Sequence, residues 1–181
     1  MRFPGKTVTM RDGREAVLHA PRVQDAEELL AYLKDTAAET EFVLRTPEEC
    51  TMTVEDELRF IERINDSPND MMVVCSVDGE VAGNCQISFM TKRKVMHRAV
   101  VAIALRQRYW GLGIGTALMT ELISAARERG SSQIELEFVE GNVRARALYE
   151  KLGFRMAGMR SNAYRLSDGA MRHEYIMVKE L

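Results

Sequence analysis

The chain has 181 residues, 46% hydrophobic and 29% charged, a mixture that builds a buried core and excludes disordered and fibrous classes. Lys and Arg number 25 against 27 Asp and Glu, a net charge of −2, so no basic field argues for nucleic acid and no charge block for a tail. Cys50, Cys75 and Cys85 lack CxxC spacing or a neighbouring His cluster, which argues against disulfides and a metal, and no apolar run reaches the roughly 20 residues of a bilayer span, so we expect a cytoplasmic chain without a membrane partner.

In chain order, "KTVTMRDGREAVLHAP" gives two extended runs around an Asp12-Gly13 turn. Two helical segments follow. "DAEELLAYLKDTAAE" opens on Asp25 with Glu28 three positions on as a capping box, and "TVEDELRFIERIND" opens on Thr53 with Asp56, its apolar stripe being Leu58, Ile61 and Ile64. A second hairpin joins "MMVVCSV" to "EVAGNCQISFM" through Asp78-Gly79. "RAVVAIAL" reads as a strand buried on both faces. A glycine stretch then leads into a helix predicted from about Thr116 to Arg129 and stopped by Gly130. "QIELEFV" alternates as a strand, "NVRARALYEKLG" is a short helix that Asn142 can cap, and a last hairpin turns at Ser167-Asp168-Gly169. We expect residues 1–181 to form one domain, a mixed α/β sheet with helices packed against it.

The stretch "RQRYWGLGIGTALM" sets Gly111, Gly113 and Gly115 at alternate positions between a strand and a helix. Such a turn aims main-chain N–H groups at an anion, because the first helical N–H groups lack partners and the helix dipole is positive there. A P-loop would need Lys-Ser/Thr after the last glycine, where Thr116-Ala117 stand, and a dinucleotide fingerprint would need Gly or Ala at 116. The remaining readings are a phosphate cradle and a plain connecting turn. Further on, Asn142 and Tyr149 lie seven positions apart, about two helical turns, near one helix face. By themselves they are equally a cap and a half-buried aromatic.

"YWGLGIGTALM" and "NVRARALYEKLGF", in that order, resemble the GCN5-related N-acetyltransferase (GNAT) superfamily, over roughly Met71 to Leu181. The resemblance implies a mostly antiparallel twisted sheet with one parallel pair splayed at the CoA site and about four helices, and it implies acetyl-CoA as co-substrate with no metal. For the family pattern Gln/Arg-x-x-Gly-x-Gly/Ala two frames compete, "RYWGLG" from Arg108 and "WGLGIG" from Trp110; the second keeps the family's five-residue step from Leu105 with Gly113 and Gly115 as the two glycines, and places Trp110 where Arg or Gln is usual. By this resemblance the main chain of Gly111, Leu112, Gly113, Ile114, Gly115 and Thr116 would hold the pyrophosphate, so the change at 110 is expected to matter little. The main chain of Ile103, Ala104 and Leu105 would pair with the pantetheine arm, Asn142 would bond that arm, and Tyr149 would protonate the departing thiolate.

Many relatives carry a base glutamate on the strand before the glycine turn, but this chain reads Val100-Val101-Ala102-Ile103. Glu137, five positions before Asn142, matches the proposed base of ribosomal-protein N-terminal acetyltransferases, although its alternation in "IELEF" equally faces it to water. His97 is a weaker candidate. Arg144 and Arg146 are candidates for the 3′-phosphate of CoA or for solvated surface charge. Methionines 71, 72, 90, 96, 156 and 159 read as core or wall filler. The expected reaction is acetyl transfer to a primary amine of a small molecule or amino compound, by direct attack in a ternary complex. The alternatives are a catalytically silent CoA-binding module and an N-terminal or peptide amine acetyltransferase. Glu39, Glu41, Asp70 and Glu174 are candidates to attract a cationic acceptor, and the terminal hairpin offers an edge for a homodimer.

Overall fold

The computed structural model describes residues 1–181. Its strands are β1 (Lys6–Thr9), β2 (Glu15–His19), β3 (Asp70–Val77), β4 (Glu80–Phe89), β5 (Arg98–Leu105), β6 (Gln133–Val139), β7 (Arg155–Arg165) and β8 (Met171–Glu180). The helices are α1 (Ala26–Glu39), α2 (Val54–Asp66), α3 (Ile114–Glu128) and α4 (Val143–Lys151). All strands join one sheet in the order β1-β2-β3-β4-β5-β6-β8-β7. Every neighbouring pair is antiparallel except β5 and β6, as the resemblance implied. No helix is long and apolar enough to cross a membrane.

Local chemistry explains most element ends. The Thr53 hydroxyl accepts from the Asp56 N–H at 3.2 Å while the Asp56 carboxylate accepts from the Thr53 N–H at 3.0 Å, a reciprocal cap that satisfies two otherwise unpaired donors. Asp78 and Gly79 both have positive φ, 51° and 87°, as a two-residue hairpin turn requires. The cap expected at Asp25 is different. Its carboxylate accepts from the Arg22 N–H at 2.7 Å and from the Arg22 guanidinium, closing a 3₁₀ turn over Val23–Asp25 ahead of α1. Glu28 turns away from the cap to accept from the Val81 N–H at 3.2 Å and from Arg106 at 2.6 Å. Long-range partners outcompeted the local box.

The two sheet faces carry separate cores. On one, α3 sets Leu118, Met119 and Leu122 against Leu18, Val73, Cys85, Ile87 and Leu136, and α4 adds Tyr149. On the other, Leu29, Tyr32, Ile61 and Ile64 from α1 and α2 cover Met72, Val74 and Val81. Cys75 and Cys85 are buried free thiols. Met71 and Met72 are core, whereas Met96, Met156 and Met159 are exposed, so the filler reading holds for only part of the set. Arg106 is 3% exposed and directly follows β5. It pairs with Glu28 and with Asp35 at 2.8 Å, donates to the Val81 carbonyl at 2.9 Å, and thereby locks α1 to the end of β4 and β5.

β5 is not buried throughout, contrary to its continuous apolar sequence. Ala99 and Val101 are buried, but Ala102 is exposed and Ile103, Ala104 and Leu105 are half-buried. The reason lies in the pairing. β5 meets β6 only at Arg98–Gln133, Ala99–Ile134 and Val100–Glu135, and beyond these three pairs the strands diverge. On its other edge β5 stays paired with β4 as far as Leu105, opposite Gly83. A Cβ at Gly83 would stand 2.5 Å from the Ala104 carbonyl oxygen and 2.2 Å from a Leu105 methyl. Gly83→Ala is therefore expected to lower the unfolding free energy by about 1–3 kcal/mol, measured by urea denaturation; an unchanged midpoint would contradict this tight approach.

Candidate active site at the strand splay

The divergence of β5 and β6 opens a cleft of about 390 Å³. At its root the Arg98 guanidinium makes a paired contact with Glu135 on the neighbouring strand, and this hydrogen bonding holds the Glu135 carboxyl below its ordinary pKa. Ile103, Ala104 and Leu105 form one wall. The hydroxyl of Tyr32 donates to the Ala104 carbonyl at 2.9 Å and the Trp110 indole N–H donates to that of Leu105 at 2.8 Å. Of the carbonyls expected to meet a pantetheine arm, that of Leu105 thus already accepts from a side chain while retaining a second lone pair, and that of Ala104 faces β4.

Above the splay lies the glycine turn. Gly111 and Gly113 have φ of 79° and 95°, left-handed values that favour glycine. The helix begins at Ile114, two residues earlier than predicted, with Gly113 as its N-cap. None of the main-chain N–H groups of residues 111–116 donates to a protein acceptor; the first helical bond is from Ala117 to the Gly113 carbonyl at 3.1 Å. Gly111, Gly113, Gly115 and Thr116 border the cleft. The side chains of Leu112 and Ile114 instead pack into the core, which anchors the turn from beneath. Gly115 lies in a tight approach, since a Cβ there would stand 3.1 Å from a Leu148 methyl of α4, which would have to shift by a few tenths of an ångström.

α4 supplies the opposite wall. The Asn142 side-chain oxygen accepts from the Ala145 N–H at 3.1 Å, so it caps the helix as predicted and keeps its NH₂ free at the cleft. Tyr149 also borders the cleft, 5% exposed between Phe138 and Phe154, with ring centroids 5.9 and 6.0 Å away. No protein group accepts from or donates to its hydroxyl. Burial pushes its pKa up to about 12, so the phenol is neutral across the working range.

The acidic candidates are not brought together. Glu137 lies on β6, half exposed beside Arg160 at 3.5 Å and outside the cleft wall. Glu174 is buried against Arg160 and accepts from the Tyr164 hydroxyl at 2.6 Å. Glu39 accepts from the Gln107 N–H, Glu41 pairs with Arg172 at 3.6 Å, and Asp70 accepts from Ser67 and Ser88. His97 is exposed and also outside the cleft. Of the two arginines, Arg146 pairs with Glu150 at 2.8 Å on the surface, while Arg144 borders the cleft with its guanidinium 5.6 Å from the Trp110 ring centroid. No carboxylate lines the cleft.

Sequence reasoning missed several lining residues. Arg11 comes from the first hairpin, and nothing local to "MRDG" marks it. Phe42 and Val43 come from the connection between α1 and α2, where two apolar residues in "ETEFVLRTP" are the signal available. Trp110, expected to matter little, ties the end of β5 to the turn and lines the cleft.

A family model described as the acetyltransferase (GNAT) family matches residues 35–154. The L-amino acid N-acetyltransferase of Escherichia coli is 29% identical over 65% of this chain and 73% of that one. The ribosomal protein bS18 alanine N-acetyltransferase of Haemophilus influenzae is 34% identical over 54% of this chain and 66% of that one, just under two thirds of its length. Among solved structures, a GNAT-family acetyltransferase from Streptococcus pneumoniae superposes with a TM-score of 0.84 at 26% identity, over 92% of this chain and 99% of that one. An acetyltransferase structure from Salmonella typhimurium, determined with acetyl-CoA, shares the fold at a TM-score of 0.78 and 16% identity, over 92% and 94%. The matched span takes in the last turn of α1, the splay, the glycine turn and α4 together, and the chain belongs to the acetyltransferase (GNAT) family.

Proposed function

We propose that this protein transfers the acetyl group of acetyl-CoA to the primary amine of a small amino compound, by direct attack in a ternary complex. One observation carries the reading: the N–H groups of residues 111–116 have no protein acceptor, and four of these residues border a cleft that also contains an unpartnered, buried phenol. Unpaired amides at a helix N-terminus fit a diphosphate, the half-buried apolar wall of residues 103–105 fits a pantetheine arm, and the Asn142 NH₂ remains available to it. Acetyl-CoA supplies the thioester whose C–S bond breaks as the new N–C bond forms.

The raised pKa of Tyr149 defines its part. Complete proton transfer from a phenol of pKa about 12 to a sulfur whose thiol has pKa about 8.5 would cost about 5 kcal/mol. Tyr149 therefore stays neutral and donates a hydrogen bond to the departing sulfur, while the proton that finally resides on sulfur comes from the acceptor amine. With no carboxylate on the cleft wall, the ammonium loses its proton to water, and Glu137 receives it only through intervening water.

The acceptor end favours a small amine over a protein terminus. Phe42 stands 3.7 Å from the Cβ position of Gly141, Glu41 pairs with Arg172 on β8, and Glu39 holds the Gln107 N–H. The connection after α1 is thus strapped across that end. The name of the Escherichia coli relative, an L-amino acid N-acetyltransferase, points the same way.

Thiol release from acetyl-CoA with a panel of amino acids, polyamines and N-terminal peptides tests the assignment. Turnover with a small amine and none with peptides is expected; saturable CoA binding without thiol release from any amine would mark a silent module. Tyr149→Phe should lower kcat about 10- to 100-fold with CoA affinity unchanged, and unaltered kcat would remove Tyr149 from the reaction. Glu137→Gln should leave turnover intact above the pKa of the acceptor amine and reduce it several-fold below, read from kcat/KM against pH.

Tyr149 also carries a pH signature. Its folded pKa is raised above the free value of about 10, so the stability it contributes is complete below pH 10 and is lost as pH rises toward 12. Between pH 9 and 11 wild type should lose about 1.4 kcal/mol more than Tyr149→Phe, measured by urea unfolding. Parallel losses would show a phenol that titrates normally.

A further inference from the structure

The first hairpin reaches the glycine turn from outside the segment that carries the family pattern. The Arg11 N–H donates to the Leu112 carbonyl at 3.0 Å, its guanidinium donates to the Gly111 carbonyl at 3.2 Å, and its Cγ would lie 3.8 Å from a Cβ on Gly113. The hairpin is held there by other contacts as well. Lys6 pairs with Glu121 of α3 at 2.7 Å, and the Arg14 guanidinium lies 6.0 Å from the centroid of the Tyr109 ring. Arg14 is neutralised by Asp12 at 2.9 Å and Asp78 at 3.3 Å, whereas Arg11 has no carboxylate partner and borders the cleft.

We infer that Arg11 is a diphosphate-binding residue, which makes the β1–β2 hairpin a working wall of the site; the inference rests on the acetyl-CoA reading above. The geometry selects the diphosphate over the 3′-phosphate. Arg11 is bonded to the two residues that open the run of free N–H groups, so its remaining donors share the anion those amides face. A guanidinium already held by one carbonyl loses little further freedom on binding, and its planar fork suits phosphate oxygens. Arg144 lies on α4, stacked near Trp110, and supplies a second cationic group from another wall.

Titration calorimetry with CoA and 3′-dephospho-CoA tests this on the full chain. Arg11→Gln should weaken both ligands equally, by about 10- to 100-fold, with an unchanged melting temperature. Arg11→Lys should recover part of the loss. Arg14→Gln, which removes the hairpin's own ion pairs, should bind both ligands like wild type. Unaltered affinity in Arg11→Gln overturns the inference, as does a loss confined to CoA, which would move Arg11 to the 3′-phosphate. An equal loss in Arg14→Gln overturns it too, since the effect would then be hairpin integrity. If wild type bound neither ligand, the acetyl-CoA reading itself would fall, an outcome distinct from all of these.

Discussion

The site depends on one constraint: two parallel strands that pair at three residues and then separate. β5 is held by β4 from Ala99 to Leu105 and β6 by β8 along its whole length, so each strand keeps one satisfied edge while the facing edges part. A gap inside a sheet leaves main-chain polar groups to be answered by something other than the ladder. Here the Trp110 indole answers the Leu105 carbonyl, and the Arg98–Glu135 pair joins the two strands where they are still paired. The same separation leaves room for the start of α3, whose Gly115 and Thr116 border the cleft with N–H groups that have no protein acceptor. A fully paired β5–β6 ladder would close the slot between turn and phenol.

The cleft is chemically polarised along its length. At one end are unpaired amides and the guanidinium groups of Arg11 and Arg144. In the middle are apolar strand residues and a phenol neutralised by burial. At the other end stand Thr36, Thr40, Phe42 and Val43, without charge. The acidic and basic residues near that end are consumed in pairs, Glu41 with Arg172 and Glu174 with Arg160, so they shape the rim without presenting free charge. In the proposed function, selection of the acceptor is then a matter of the room left by the connection after α1, because no carboxylate lines the wall to pair with an ammonium.

Much of this was legible in the sequence because it depends on neighbours a few residues apart. The Thr53–Asp56 box, the Asp78-Gly79 turn, the Asn142 cap and the alternating glycines are encoded within spans of about six residues. What failed to read through depends on distant partners. Asp25 and Glu28 have the spacing of a box, but a buried guanidinium 78 positions beyond Glu28 claims that carboxylate. "RAVVAIAL" reads as doubly buried because composition cannot report that its partner strand departs halfway. Arg11 looks like an ordinary turn residue until the hairpin docks on Leu112, 101 positions on. Glu137 keeps the spacing of a base from Asn142, yet the pleat of β6 directs it to Arg160 rather than to the cleft.

Trp110 shows how one departure from the family pattern can be absorbed. A basic or amide side chain at that place would offer hydrogen-bond donors and, for arginine, a positive charge beside the anion. Indole retains one donor, and its N–H is spent on the Leu105 carbonyl, which fixes the hinge between β5 and the glycine turn. The missing charge is provided from elsewhere. The indole face lies 5.6 Å from the Arg144 guanidinium, a distance at which a cation over an aromatic ring is attracted. Position 110 thus trades a direct cationic contact for one that steadies a cation from α4, and Arg11 adds another from the first hairpin. In the proposed diphosphate site, the positive charge that the motif would place on the turn is distributed over two walls of the same cleft, which would tie the grip on an anion to the packing of three separate elements.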